Sequence, residues 1–329
     1  MRLVLANPNS GATLLRDAPA SLRKISMSDD IEFNRRFDVP PGQVEQVAPN
    51  VRRIVAPNPS PFTFTGTCTY IVGRGNVAIL DPGPDDAAHI AAVLDAVRDE
   101  NVSHIVITHT HRDHSPAAPA VQAATGARTV GEGPHRPARP LFIGEINPMD
   151  ASADTDFVPD IVLADGDVLT GSGWTLEAIT TPGHCANHLA FALHEDALVF
   201  SGDHVMGWAT SIVAPPDGSM GDYVHSLEKL AQRSETLYLP GHGPAVNDAP
   251  AFVRDYLNHR HAREAAILRG LERTSTIPEL VRGIYIGLDP RLFGAAALTV
   301  LAHLEHLVEK RQVETEGAPS ITGDYRIAR

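Results

Sequence analysis

The residues of this chain best suited to chemistry are crowded into one short segment. Directly after the apolar run 105–107 come three histidines and an aspartate within six residues, namely His109, His111, Asp113 and His114. Polar side chains at the end of a buried strand each need a partner, and metal ions satisfy all four at once. Imidazole nitrogen and carboxylate oxygen suit zinc, so His109 and His111 can face one ion while Asp113 and His114 face a neighbouring one.

Three more candidate ligands each follow an apolar run further along the chain. They are His184, Asp203 and His242, and each lies beside a glycine that lets the backbone come close. Any one of them alone would be interpreted as an ordinary polar residue of a core or loop. All seven together favour a catalytic metal site, because a structural zinc site needs only four ligands.

The elements that must position these residues follow from the hydrophobic patterns. Short β-branched runs predict strands, and apolar residues at helical spacing predict helices. The predicted strands are 67–72, 77–80, 104–108, 161–163, 174–180, 189–193, 197–201 and 236–239, with helices at 85–99 and 222–232. Residues 131–160 are rich in Gly, Pro and Asp and predict a long loop of the kind that often forms a functional lid.

Around residue 245 the pattern changes to helices. Helices are predicted at about 251–272, 276–287 and 291–311, followed by short β segments at 313–316 and 325–327. Three helices and a final hairpin indicate a small winged-helix-like domain. The third helix has no Lys or Arg between Arg291 and Lys310, so we expect no DNA reading by this part.

Composition limits the class of protein. A 329-residue chain with 43% hydrophobic and 20% charged residues predicts a folded protein, and its length favours two domains. The net charge of −13 opposes non-specific nucleic-acid binding. Two cysteines fit a reducing compartment, so a cytoplasmic location is expected. No membrane span is expected. Residues 1–26 are either a dispensable extension before Met27 or a targeting segment.

The motifs resemble those of the metallo-β-lactamase superfamily over about residues 51–245. The segment 201–207, the helix beginning at Asp222 and Tyr223, and the tail 259–329 are similar to the beta-lactamase-like protein 2 group. This resemblance implies an α/β (α+β) fold, a four-layer αββα metallo-β-lactamase sandwich with a small C-terminal winged-helix-like domain. The implied divisions are an N-terminal extension at 1–43, a catalytic domain at 44–250 and the winged-helix-like domain at 251–329.

The resemblance also implies a role for each candidate residue. The first ion would be held by His109, His111 and His184, the second by Asp113, His114 and His242, and Asp203 would bridge the two. Asp81 matches an aspartate that orients the metal-binding turn from behind, although before Pro-Gly it could equally be an ordinary turn residue. His188 either shapes the pocket by hydrogen bonding or serves the core.

These residues predict a hydrolase with two Zn²⁺ per chain, or iron or manganese in their place. A hydroxide bridged between the ions would cleave an ester, thioester, lactone or phosphodiester, with Asp113 or Asp203 accepting the proton. By the resemblance, true β-lactamases lack the aspartate bridge, so we expect no β-lactamase. The alternatives are a single-strand endoribonuclease of the same fold, a mononuclear iron dioxygenase, and a nucleic-acid-binding module with a structural metal. A small ester or thioester is the expected partner, with single-stranded RNA second and a homodimer left open.

Overall fold

The first sheet is built by the N-terminal half of the chain. The computed structural model describes residues 31–329, so the predictions for residues 1–26 lie outside the described part. The sheet has seven strands in chain order: β1 Glu45–Ala48, β2 Val51–Val55, β3 Cys68–Arg74, β4 Asn76–Leu80, β5 Asn101–Val106, β6 Arg128–Gly131 and β7 Ile161–Val162. From β4 onward the strands run parallel, and helices α1 (Ala87–Ala96) and α2 (Ala118–Thr125) provide crossovers.

The second sheet has five strands in the order β12-β11-β10-β9-β8. They are β8 Val168–Gly171, β9 Trp174–Thr180, β10 Leu189–Leu193, β11 Leu198–Gly202 and β12 Leu237–Pro240. Helix α3 (Met220–Leu230) connects β11 to the parallel strand β12, and Ser219 caps its first turn by accepting from the Asp222 N–H.

The cores confirm the four-layer prediction. One cluster of buried side chains, with Tyr70 and Phe200 among them, fills the space between the two sheets. A second, around Val93 and Val121, lies between the first sheet and α1 and α2. A third joins the outer face of the second sheet to α3 and the next helix. Each sheet therefore has one face on the other sheet and one face under helices.

The C-terminal part has the three helices and hairpin expected of a winged helix. They are α4 Ala249–Leu271, α5 Ile277–Ile284 and α6 Phe293–Glu309, followed by β13 Val313–Thr315 paired with β14 Tyr325–Ile327. By length and composition Pro290–Glu309 could cross a membrane, which the sequence analysis did not note, but half of that stretch is buried. Its Val300, Leu304 and Leu307 belong to the core of this part, which explains the apolar composition.

Five short elements escaped the sequence analysis: β1, β2, α2, β6 and β8. Each has eight residues or fewer, too few to show a clear period. The stretch 132–160, called the long loop below, has no helix or strand apart from a 3-10 turn at Asp150–Ser152, as predicted. It is nevertheless anchored, because Ala138 N–H donates to Pro216 O and Asp154 N–H to Thr110 O.

Helix α4 supports the segment that follows β11. This segment, residues 203–219, is called the β11–α3 loop below. The Tyr256 hydroxyl accepts from Met206 N–H at 3.1 Å and lies 2.6 Å from the carbonyl oxygens of Met206 and Ala209. Arg260, almost fully buried, donates to Ser211 O at 2.6 Å. The C-terminal part therefore fixes the backbone of a loop in the sandwich.

Replacing Tyr256 by Phe should lower the free energy of unfolding by about 1–3 kcal/mol, because buried backbone groups lose their partner. Denaturant unfolding would measure this loss, and the amide of Met206 should exchange its hydrogen faster. Tyr325→Phe is the matched control, since its buried hydroxyl bonds Ser320 in the tail instead. Equal protection of Met206 in all three proteins would contradict the supporting role of Tyr256.

Candidate metal centre

All seven predicted ligands come together at one edge of the two sheets. They form three overlapping groups whose ligand atoms lie within 4.8 Å of one another: His109, His111 and His184; Asp113, His114 and His242; and His109, His114 and Asp203. The turn after β5 supplies four of them, and the other three follow β9, β11 and β12. The groups share members, so they form one cluster.

The first group is a triangle of imidazole nitrogens. His111 Nδ1 lies 3.0 Å from His109 Nε2 and 3.0 Å from His184 Nε2. Burial, reinforced by neighbouring histidines, lowers the pKa of His109 well below its usual value and that of His111 to about 3. Both imidazoles are therefore neutral at physiological pH, which is the form that binds a metal.

The second group combines carboxylates with imidazoles. His242 Nε2 lies 3.1 Å from Asp113 Oδ2 and 3.3 Å from Asp203 Oδ2. His114 Nε2 lies 3.3 Å from Asp113 Oδ2 and 3.6 Å from Asp203 Oδ1. Asp203 Oδ2 is also 3.8 Å from His184 Nε2. The Asp203 carboxylate thus lies between the two groups.

The charges of this group depend on one another. Burial alone would raise the pKa of Asp113 and of Asp203, but His114 and His242 hold both pKa values well below the usual range. Burial would likewise lower the pKa of His242, yet Asp203 and Asp113 raise it to about 9. Two ionised carboxylates in a buried cluster create a strong attraction for cations.

Hydrogen bonds on the far side of each ring orient the imidazoles. His184 Nδ1 lies 2.6 Å from Ile212 O, and His242 Nδ1 lies 3.3 Å from Gly66 O. A carbonyl oxygen can only accept, so each Nδ1 atom donates to its carbonyl and each Nε2 atom faces the cluster. Such partners fix the ring and increase the basicity of a ligand nitrogen.

Asp81 orients ligands of both groups. Its Oδ1 accepts from Thr108 N–H at 2.8 Å, and its Oδ2 accepts from Thr108 Oγ1 at 2.7 Å and from His114 Nδ1 at 2.9 Å. Thr108 Oγ1 in turn lies 3.0 Å from His109 Nδ1. Asp81 has a left-handed φ of 48°, an unfavourable conformation that these bonds compensate.

His188 contacts the backbone of the central aspartate. Its Nε2 accepts from Asp203 N–H at 3.1 Å, and its Nδ1 lies 2.8 Å from Thr181 Oγ1. This hydrogen bond holds Asp203 from within the buried core, so both interpretations of His188, shaping the pocket and serving the core, stay open. His204 directly follows Asp203 along the chain. Its ring centroid lies 4.3 Å from that of Tyr223, against which it packs.

Unpartnered atoms test whether a metal fits here. Within residues 31–329, His114 Nε2 and Asp203 Oδ1 are buried and have no hydrogen-bond partner. Buried polar atoms are nearly always paired, and a cation between His114, Asp203 and Asp113 would satisfy both. Three imidazole nitrogens in one group, and two with carboxylate oxygens in the other, are a donor set typical of zinc. The residues fit the ions predicted from the sequence.

The sequence analysis missed a buried network beside the cluster. His135 Nδ1 lies 3.1 Å from Thr110 Oγ1, between the two first ligands, and its Nε2 lies 3.4 Å from Asp217 Oδ2. Asp217 Oδ1 also accepts from Asn147 Nδ2 at 2.6 Å. The network joins the long loop to the β11–α3 loop. No local spacing pairs His135 with Asp217, so only the fold reveals it.

Comparison with known proteins decides the family. Residues 62–242 match the family model described as the metallo-beta-lactamase superfamily. The chain belongs to the metallo-β-lactamase superfamily. Residues 276–321 match the beta-lactamase associated winged helix domain, which confirms the resemblance drawn from the motifs. The domain boundaries after residues 43 and 250 stay predictions.

Relatives within the superfamily carry several names. The chain is 30% identical over 299 residues to lactamase-like protein adaB of Aspergillus niger, covering 84% of this chain and 86% of that protein. It is 31% identical to a beta-lactamase-like protein 2 homolog of Caenorhabditis elegans, covering 72% of this chain and 76% of that protein. It is also 31% identical to the atrochrysone carboxyl ACP thioesterase dmxR1 of a Cryptosporiopsis species, covering 78% of this chain and 73% of that protein. A metallo-beta-lactamase family protein of Thermus thermophilus has a similar structure, with a TM-score of 0.68, 25% identity, and 86% and 100% coverage.

Replacing Asp81 by Asn should lower zinc affinity by about 10- to 100-fold, because the substitution removes the charge behind His114 and Thr108. Asparagine tolerates a left-handed φ, so the backbone should hold its shape. Competition with a chromogenic chelator would measure the affinity. Asp85→Asn, an exposed neighbour, is the control and should bind zinc as the unaltered protein does. Equal affinities for Asp81→Asn and the unaltered protein would show that Asp81 is only a turn residue.

Proposed function

We propose that this superfamily hydrolase uses two zinc ions to cleave an acyl ester bond, with a thioester as the first candidate. The position of the Asp203 carboxylate carries the proposal, because it lies within reach of ligand nitrogens of both groups. The relatives named as atrochrysone carboxyl ACP thioesterases support the choice of bond. By the resemblance, a bridging aspartate also separates the chain from true β-lactamases.

When bound, two such ions would supply a bridging hydroxide at neutral pH and a Lewis acid for the scissile carbonyl oxygen. The chain's own residues handle the proton. Asp113 and Asp203 are ionised, and Asp113 is the more exposed of the two, so it can exchange a proton with solvent. In thioester hydrolysis the water oxygen bonds to the acyl carbon as the carbon–sulfur bond breaks. The proton passes through the carboxylate to the leaving sulfur, giving an acid and a thiol.

The charge of the chain favours an acyl substrate over RNA. A net charge of −13 and a third winged-helix helix without Lys or Arg between its ends offer little to a phosphate backbone. RNA remains the second candidate, because winged-helix domains include nucleic-acid binders and residues 276–321 match a winged-helix family model. We also propose a cytoplasmic location, which the two unpaired, buried cysteines support.

Metal analysis and a substrate panel test the proposal together. Purified protein would be assayed for zinc, iron and manganese per chain, and for turnover of thioesters, lactones and a single-stranded RNA. Two zinc ions with thioester turnover would support the proposal. RNA cleavage alone would replace the substrate class, and one iron with oxygen uptake would replace the reaction. RNA binding without any turnover would indicate a binding module.

Replacing Asp113 by Ala should lower kcat/KM for the best panel substrate by about 10³-fold or more, because a metal ligand and a proton acceptor disappear together. Circular dichroism and thermal unfolding would verify the fold. Asp99→Ala, which removes an exposed carboxylate from the turn before β5, should leave kcat/KM unchanged. Unaltered turnover in a folded Asp113→Ala protein would refute hydrolysis at this cluster.

A further inference from the structure

A cavity of about 620 Å³ lies between the long loop and helix α6. The β11–α3 loop contributes Pro215 to its wall, and the tail after β13 closes another side. Apolar side chains dominate the lining; the larger ones are Phe142, Ile143, Ile146, Leu298, Leu301 and Ile321. Small-molecule sites usually have volumes of about 300–1,000 Å³, so this cavity is large enough for a substrate.

The lining residues favour binding of an uncharged group. Its one ionisable residue is Glu145, whose two carboxylate oxygens accept from Arg139 at 2.7 and 2.8 Å. Arg139 holds the pKa of Glu145 below its usual value, so this charge is already paired. The side chains of Ile143 and Ile146 are almost entirely exposed to solvent. Covering these two side chains would remove apolar surface from water and favour binding.

Two connections place the cavity beside the metal centre. Ile212 O lies 2.6 Å from Nδ1 of the candidate ligand His184, and Pro215 of the cavity wall is three residues further on. Three peptide units span at most about 11 Å. On the other side, Asn147 lies between two lining residues and bonds Asp217, which contacts His135 beside the metal-binding turn. The cavity wall and the metal centre are therefore within the length of an ordinary substrate of each other.

We propose that this cavity binds the apolar acyl body of the substrate while its carbonyl group lies at the metal centre. The inference rests on the proposed function and narrows it to esters or thioesters of large apolar acids, with long aliphatic or fused aromatic groups. An RNA strand would need cations and stacking platforms, and the lining offers no unpaired cation. The winged-helix part would then select the substrate through Leu298 and Leu301.

Gly294, near the start of α6, allows a direct test. It lines the cavity, and a Cβ placed there meets nothing within 4 Å. Gly294→Trp should therefore place a large side chain in the cavity without damaging the fold, since tryptophan suits a helix better than glycine. Gly283 of α5 is a matched control, because it is also an exposed helical glycine with open space and does not line the cavity.

The zinc-loaded proteins would be assayed with acetyl, decanoyl and naphthoyl thioesters of N-acetylcysteamine. In Gly294→Trp, kcat/KM for the two large acyl groups should fall by about tenfold or more relative to acetyl. Gly283→Trp should leave all three values unchanged. An unchanged ratio of decanoyl to acetyl turnover in Gly294→Trp would overturn the proposal.

A binding measurement separates this inference from the proposed function. A non-hydrolysable analogue of the decanoyl thioester, in which an amide nitrogen replaces the sulfur, would be titrated calorimetrically into each protein. Gly294→Trp should weaken its binding about tenfold and Gly283→Trp should not. Such a result without turnover of any thioester would refute the thioester as the substrate and leave the cavity assignment standing. Absent or equal binding in all proteins would refute the assignment.

A second copy of the chain could also cover the apolar lining of the cavity. Sedimentation of the same three proteins would measure their oligomeric state and test this alternative. The proposal expects the same oligomeric state in all of them. If Gly294→Trp instead dissociates a dimer and leaves the acyl preference unchanged, the apolar lining is an interface between copies and the proposal is wrong.

Discussion

The proximity of two ionised carboxylates, Asp203 buried and Asp113 half-buried, is the constraint on which the rest of the structure depends. Asp113 Oδ2 and Asp203 Oδ2 lie 3.1 and 3.3 Å from the same atom, His242 Nε2. Like charges this close repel strongly unless positive charge compensates them. His114 and His242 hold both carboxylates ionised, and a cation bound at the unpartnered His114 Nε2 and Asp203 Oδ1 would supply positive charge in their place. Binding of such a cation would couple metal affinity to folding at this edge of the sandwich.

Holding these charges together requires close approach of the backbone. Gly241 immediately precedes His242, and a Cβ at this position would lie 2.4 Å from Asp203 Oδ1 and 2.7 Å from His114 Cε1. A side chain there would displace both candidate ligands, so the glycine directly after β12 is a steric requirement of the centre. Asp81 also helps to hold the candidate ligands in place. Its carboxylate orients His114 directly and His109 through Thr108, and these bonds maintain its left-handed backbone conformation.

The ligands could be predicted from the sequence because each is local to a strand end. An apolar strand followed by histidine or aspartate beside glycine is visible in one dimension, and parallel strands bring their carboxyl ends to one edge. Most strands and the long C-terminal helices were predictable because their patterns are clear, whereas the arrangement in two sheets was implied by the resemblance to the superfamily. Short elements such as α2 and β8 were not. The contacts of His135 with Asp217 and of Tyr256 with Met206 were not predictable either, because the spacing of these residues in the sequence carries no information about contact.

These unpredicted contacts join the two parts of the chain. Arg139 of the long loop bonds Glu145 of the same loop and Glu305 of α6, and burial raises the pKa of Glu305. The long loop is thus fastened to the winged-helix part at Arg139 and to the β11–α3 loop through Asn147 and Asp217. The β11–α3 loop also carries Asp203 and orients His184 through Ile212 O. One continuous set of contacts therefore runs from α6 to the candidate metal ligands.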